Sequence, residues 1–119
     1  MAFVLVASVA ARASADDRPL ADAITVASPD ECLERDALVA HVETWLGRAS
    51  IASELGVVVE GDADEVSFLV TRGGEPIATR RFDRLPRACA DRRAALSLAI
   101  ALAIDAAILE SLGIAPPVE

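Results

Sequence analysis

The chain has 119 residues, 19 of them acidic and 11 arginine, with no lysine and a formal net charge of −8. That length allows one modest core. The charge opposes a general nucleic-acid binder, which needs a basic face against phosphates, and 3% aromatic content leaves no platform for stacking bases. A hydrophobic share of 54% is too high for a disordered chain. The 25 alanines, with Asn, Gln and Tyr absent as well, fit the codon usage of a GC-rich genome.

Residues 2–11 form an apolar run of the length found in signal-peptide cores. Ala13-Ser14-Ala15 follows as an A-x-A cleavage signature, and the polar Asp16-Asp17-Arg18-Pro19 comes next. This order predicts a signal peptide over 1–15, cut after Ala15. No basic residue precedes the apolar run, so only the terminal amine supplies the positive charge. An exported chain places the protein in the periplasm or outside the cell. The two cysteines, Cys32 and Cys89, are then expected to pair as one disulfide. They do not form a CxxC redox motif, and with a single histidine they do not form a zinc set.

Residues 20–27 alternate well enough for a strand. Ser28, Pro29 and Glu31 have the spacing of a capping box with proline at N1, which predicts a helix from there to Leu46, closed by Gly47. Its apolar stripe is Leu38, Val42, Trp45 and Leu46, and Glu31 and Arg35 are spaced to pair. A start near Glu34 would leave Cys32 in the preceding loop. Residues 48–56 read as a linker, with room for a turn around 51–55. Three short strands follow: 57–60, 65–72 and 75–82, joined by the Gly61-Asp62-Ala63-Asp64 turn and a Gly73-Gly74 hairpin. Residues 84–87 break the pattern. A long alanine-rich helix then runs over 88–112, ending at Gly113. Its uninterrupted apolar stretch, 94–104, is short of a bilayer span of roughly 20 residues, so it reads as a core helix rather than a membrane segment.

The expected fold class is α+β: a β-α-β-β-β-α two-layer sandwich, with a four-stranded, mostly antiparallel sheet and two helices on one face. It forms a single domain over 16–113, with a tail at 114–119. Strand parity adds a constraint. With the first strand up and its helix returning, the next three strands run up, down and up. Cys32 and Cys89 then fall at the same sheet edge, which agrees with a disulfide between them.

Catalytic and cofactor signals are weak. His41, the lone histidine, sits off the helix stripe with no nucleophile motif near it. Glu60, Asp62, Asp64 and Glu65 resemble a solvated turn more than a calcium loop, since the EF-hand glycine and distal glutamate are missing. No glycine-rich phosphate loop occurs. The reading is therefore non-enzymatic, with no cofactor and no metal. The α-β-β-β-α portion has the element order of a double-stranded RNA-binding domain, a role opposed by the net charge and the export signal.

Charge is distributed unevenly. Residues 16–65 hold 13 acids and three arginines, whereas 66–93 hold seven arginines and three acids. The seven are Arg72, Arg80, Arg81, Arg84, Arg87, Arg92 and Arg93. Guanidinium groups suit carboxylate or phosphate partners, which makes this stretch the candidate anion- or partner-binding patch. The competing reading pairs these arginines with the acidic first half of the same chain.

One combination of features is familiar. A cysteine precedes an amphipathic helix, a meander ends in an arginine-rich strand, and Cys89-Ala90-Asp91-Arg92-Arg93-Ala94-Ala95-Leu96 continues as an Ala/Leu helix to Ile104-Asp105. Over about residues 20–112 the chain resembles an uncharacterised secreted N-terminal domain that recurs in myxobacterial-type (deltaproteobacterial) envelope proteins. The resemblance implies no activity. The residues themselves favour a non-enzymatic exported domain that binds another envelope component through the arginine cluster and an exposed edge strand; the alternatives are a structural module that packs on a partner chain through helix 88–112, and a small-ligand-binding protein or enzyme using His41 or the acidic turn.

Overall fold

The computed structural model describes residues 16–62 and 64–113, so the signal-peptide segment 1–15 and the tail 114–119 lie outside the described residues. In chain order the elements are β1 (Asp17–Pro19), α1 (Leu20–Ala23), β2 (Ile24–Ala27), a 3-10 turn (Glu31–Leu33), α2 (Arg35–Leu46), β3 (Ser50–Ala52), β4 (Leu55–Gly61), β5 (Val66–Arg72), β6 (Glu75–Phe82) and α3 (Cys89–Ser111). The class is α+β.

The main sheet has the order β2-β4-β5-β6, with β2 parallel to β4 and the other neighbours antiparallel. Period-two alternation sends Val57, Val59, Val66, Phe68 and Val70 to one face, where all are buried. Their neighbours Val58, Ser67, Leu69 and Thr71 are only partly covered. Both long helices therefore lie on the buried face. They bring Leu38, Val39 and Val42 from α2 and Leu96, Ile100 and Ile104 from α3 into one continuous core. Phe68 and Phe82 stack across β5 and β6, with ring centres 6.1 Å apart.

Two glycines serve close approaches. Gly61 has φ +107°, and a Cβ there would run into the Glu65 carbonyl oxygen across the turn. A Cβ at Gly56 would come within 2.9 Å of Thr71 Oγ1. The smooth β4–β5 pairing of Gly56 with Thr71 thus depends on the missing side chain.

Several local expectations are corrected. Residues 20–23 form a helical turn, not a strand, with Leu20 and Ala23 buried three apart. The alanines that mimic alternation are also the strongest helix formers. Helix capping is spread over three residues instead of one box. Ser28 Oγ accepts from the Asp30 N–H, Asp30 Oδ1 from the Cys32 N–H, and the Glu34 carboxylate from the Asp36 and Ala37 N–H groups. The intervening 3-10 turn buries Leu33 completely. It also removes Glu31 from the helix, so the expected Glu31–Arg35 pair does not form; Arg35 donates to the Ala21 carbonyl instead. Trp45 is 52% exposed, because the buried side of α2 is rotated toward Val39 and Val42.

The supposed linker holds β3 and the start of β4. β3 pairs with β1 in a separate two-stranded sheet, setting Ile51 opposite Arg18. Ile51 is fully buried there. The Arg18 guanidinium reaches over to the Leu55 carbonyl at 2.7 Å.

Candidate functional site

β2, β4 and β6 all run in one direction, so the turn after β2 and the start of α3 lie at the same end of the sheet. Cys32 and Cys89 form a disulfide there, with Cα atoms 5.3 Å apart and a sequence separation of 57. Such a bond belongs to an oxidising, extracytoplasmic environment. Two arginines surround it. Arg92 donates to Asp30 at 2.7 Å and to the Pro86 carbonyl at 3.1 Å. Arg93 donates to the Cys32 carbonyl at 3.0 Å and approaches Cys89 Sγ at 3.7 Å. Two of the seven candidate arginines thus bind the chain to itself beside the disulfide.

The others divide by strand face. Arg72, at the end of β5, donates to the Ala107 carbonyl of α3 at 2.7 Å and has Glu54 at 3.5 Å. Arg81 pairs across β5–β6 with Ser67 on the open face. It is held by Glu65 at 2.8 Å and Asp83 at 3.7 Å. Arg80 lies opposite Phe68 and so projects on the helix side. There it lines a shallow groove of about 250 Å³ with Ala95, Leu98, Ala99, Leu102, Ala103 and Ala106 of α3.

Arg84 and Arg87 follow β6 in the loop before α3. With Asp64, Asp83, Leu85 and Arg92 they line an open polar cleft of about 630 Å³. Arg80, Arg84 and Arg87 have no ion-pair partner among the described residues. β6 itself is the sheet edge, and all of its residues except Phe82 are exposed. An open edge bordered by unpaired guanidinium groups can take an extended acidic segment, through backbone pairing and charge.

The two other candidates have local structural roles. His41 Nδ1 lies 3.0 Å from the Ala37 carbonyl of its own helix. Asp62 accepts through Oδ1 from the Asp64 and Glu65 N–H groups, closing the turn that Gly61 begins. Among the described residues no group of His, Cys, Asp and Glu is arranged to hold a metal ion.

Sequence reasoning missed the Asp30–Arg92 pair, because neither residue carries a local signal for a partner 62 positions away. It also missed the groove under Arg80, which needs β6 and α3 side by side. Comparison with protein-family models, curated proteins and solved structures finds no match for this chain.

Proposed function

We propose that the chain is a non-enzymatic interaction domain, exported to the periplasm or beyond, that docks an acidic segment of another envelope protein. The observation that carries this reading is the continuity of the exposed edge strand β6 with the loop bearing Arg84 and Arg87, whose guanidinium groups are unpaired among the described residues. Export itself is supported by the signal-peptide layout of residues 1–15 and by the disulfide. The resemblance of the Cys89–Asp105 segment to secreted envelope domains points the same way. Mass spectrometry of exported protein, with and without reductant, tests cleavage after Ala15 together with the Cys32–Cys89 bond.

Docking is tested by calorimetric titration with a short peptide of alternating Val and Glu, against a Val-Ser control. The acidic peptide binds, more weakly as salt rises. Arg84→Ala/Arg87→Ala weakens it by about ten-fold or more. Equal binding of the control peptide, or no loss in the double variant, rejects the reading. A second reading, a structural module that packs on a partner chain through helix 88–112, is favoured by the exposed Leu98 and Leu102.

A further inference from the structure

We infer that folding and cleavage after Ala15 compete, because the pairing of β1 with β3 shields the scissile bond. A chain cut before β1 pairs is released, and a chain that folds first keeps its signal peptide. The inference rests on the reading of residues 1–15 as an export signal.

Hydrolysis of the Ala15–Asp16 amide takes up one water and leaves a carboxylate on Ala15 and an amine on Asp16. A peptidase takes its substrate as an extended strand and pairs with backbone groups beside the scissile bond. The first residues of a domain are usually loose enough to give that access. Here they are tied down from the residue that follows the cut. The Asp16 carbonyl accepts from the Ser53 N–H at 2.9 Å. Asp17, Arg18 and Pro19 pair in register with Ala52, Ile51 and Ser50. The Leu20 N–H then donates to the Ala49 carbonyl at 2.8 Å, and the Leu20 side chain is fully buried.

Side chains close the same segment. The Arg18 guanidinium crosses to the Leu55 carbonyl at 2.7 Å. Opposite Arg18, Ile51 is fully buried. Freeing Asp16 for an enzyme therefore means peeling β1 from β3 and breaking the Arg18 clamp. Drawing out an extended stretch beyond Pro19 also takes Leu20 from the core. Each step costs free energy, so the open form is a minor population. Cleavage of a folded chain is slowed in proportion to that population.

The order of synthesis leaves a window for the cut. Arg18 finds its acceptor 37 positions later in the chain. The Ser53 N–H that holds Asp16 comes from the same later stretch. As the chain is threaded out, residues 49–55 emerge after the scissile bond. Until they arrive β1 has no partner, and the Ala15–Asp16 bond is open to the enzyme.

Purified signal peptidase acting on the full chain, residues 1–119, tests this, with the products read by mass. Precursor diluted from urea and reductant straight into the enzyme is expected to be cut after Ala15. The same precursor, refolded and oxidised first, is expected to be cut at least about ten-fold more slowly. Ser53→Pro removes the N–H that holds Asp16, and Arg18→Ala removes the clamp on Leu55. Each refolded variant, with an unchanged far-ultraviolet circular dichroism spectrum, should be cut faster than the refolded wild type. Equal rates for unfolded and refolded wild type overturn the inference, and that comparison stands alone if a variant does not fold. Folded variants as slow as the wild type overturn it too. An unfolded precursor that is not cut rejects the export reading itself, and the inference with it.

Discussion

Arg92 and Asp30 stand 62 residues apart in the chain and 2.7 Å apart in space, with side-chain exposures of only 12% and 7%. Asp30 also accepts from the Cys32 N–H, so one carboxylate orders the cysteine turn and neutralises the first turn of α3. A guanidinium near a helix N-terminus is unfavourable alone. The buried aspartate removes that conflict.

Removing either partner leaves an uncompensated buried charge. Arg92→Ala and Asp30→Ala are each expected to lower stability by about 3 kcal/mol, and the double variant to lose clearly less than their sum. Urea unfolding of the oxidised protein gives all three values. Additive losses would mean that the two side chains act independently.

The disulfide acts mainly on the unfolded chain. With the cysteines 57 positions apart in sequence, the loop-entropy model gives about 4 kcal/mol for Cys32–Cys89. Thermal unfolding with and without reductant, and of Cys32→Ser/Cys89→Ser, should show the same lowered midpoint. A midpoint insensitive to reductant would show that the bond adds nothing to stability.

Gly61 and Gly73 both have positive φ, but only Gly61 lacks space for a side chain. Gly61→Ala should cost about 2 kcal/mol or more, since strain and a backbone clash combine. Gly73→Ala, open around its Cβ, should cost about 1 kcal/mol. Chemical denaturation separates them, and equal losses would contradict the turn geometry.

Two aromatic residues should behave in opposite ways. Phe68 is 1% exposed at the sheet centre, and Phe68→Ala is expected to cost about 4 kcal/mol. Trp45, the only tryptophan, is 52% exposed. Trp45→Ala should change stability by less than about 1 kcal/mol, and Trp45 emission should shift little on unfolding. Fluorescence and circular dichroism melts check both.

The legible part of the fold was what alternation and helix-length runs encode. Val66, Phe68 and Val70 announce a strand with one buried face, and parity alone brings Cys32 to Cys89. What stayed hidden depends on long-range pairing. Ile51 becomes a strand residue only because Arg18 lies opposite it, and nothing in residues 48–56 signals that partner. Ser28-Pro29 has a good capping pattern, but burial of Leu33 and the position of Cys32 divert it into a 3-10 turn. In the site, the run of arginines was visible as composition. Its division into Arg92 and Arg93 facing inward and Arg84 and Arg87 lining an open cleft follows from which strand face and which helix turn each one occupies.

The tethers on α3 are unequal at its two ends, and that sets an order of opening. Its first turn is held by a covalent bond, a buried ion pair and the Arg93 hydrogen bond to the Cys32 carbonyl. Toward Ser111 the long-range side-chain hydrogen bond among the described residues is Arg72 to the Ala107 carbonyl. Unravelling should therefore begin at Ser111 and travel backward, stopping at the crosslink. Amide exchange along the helix would rise steadily from Leu96 toward Glu110, and reduction of the bond would flatten that gradient.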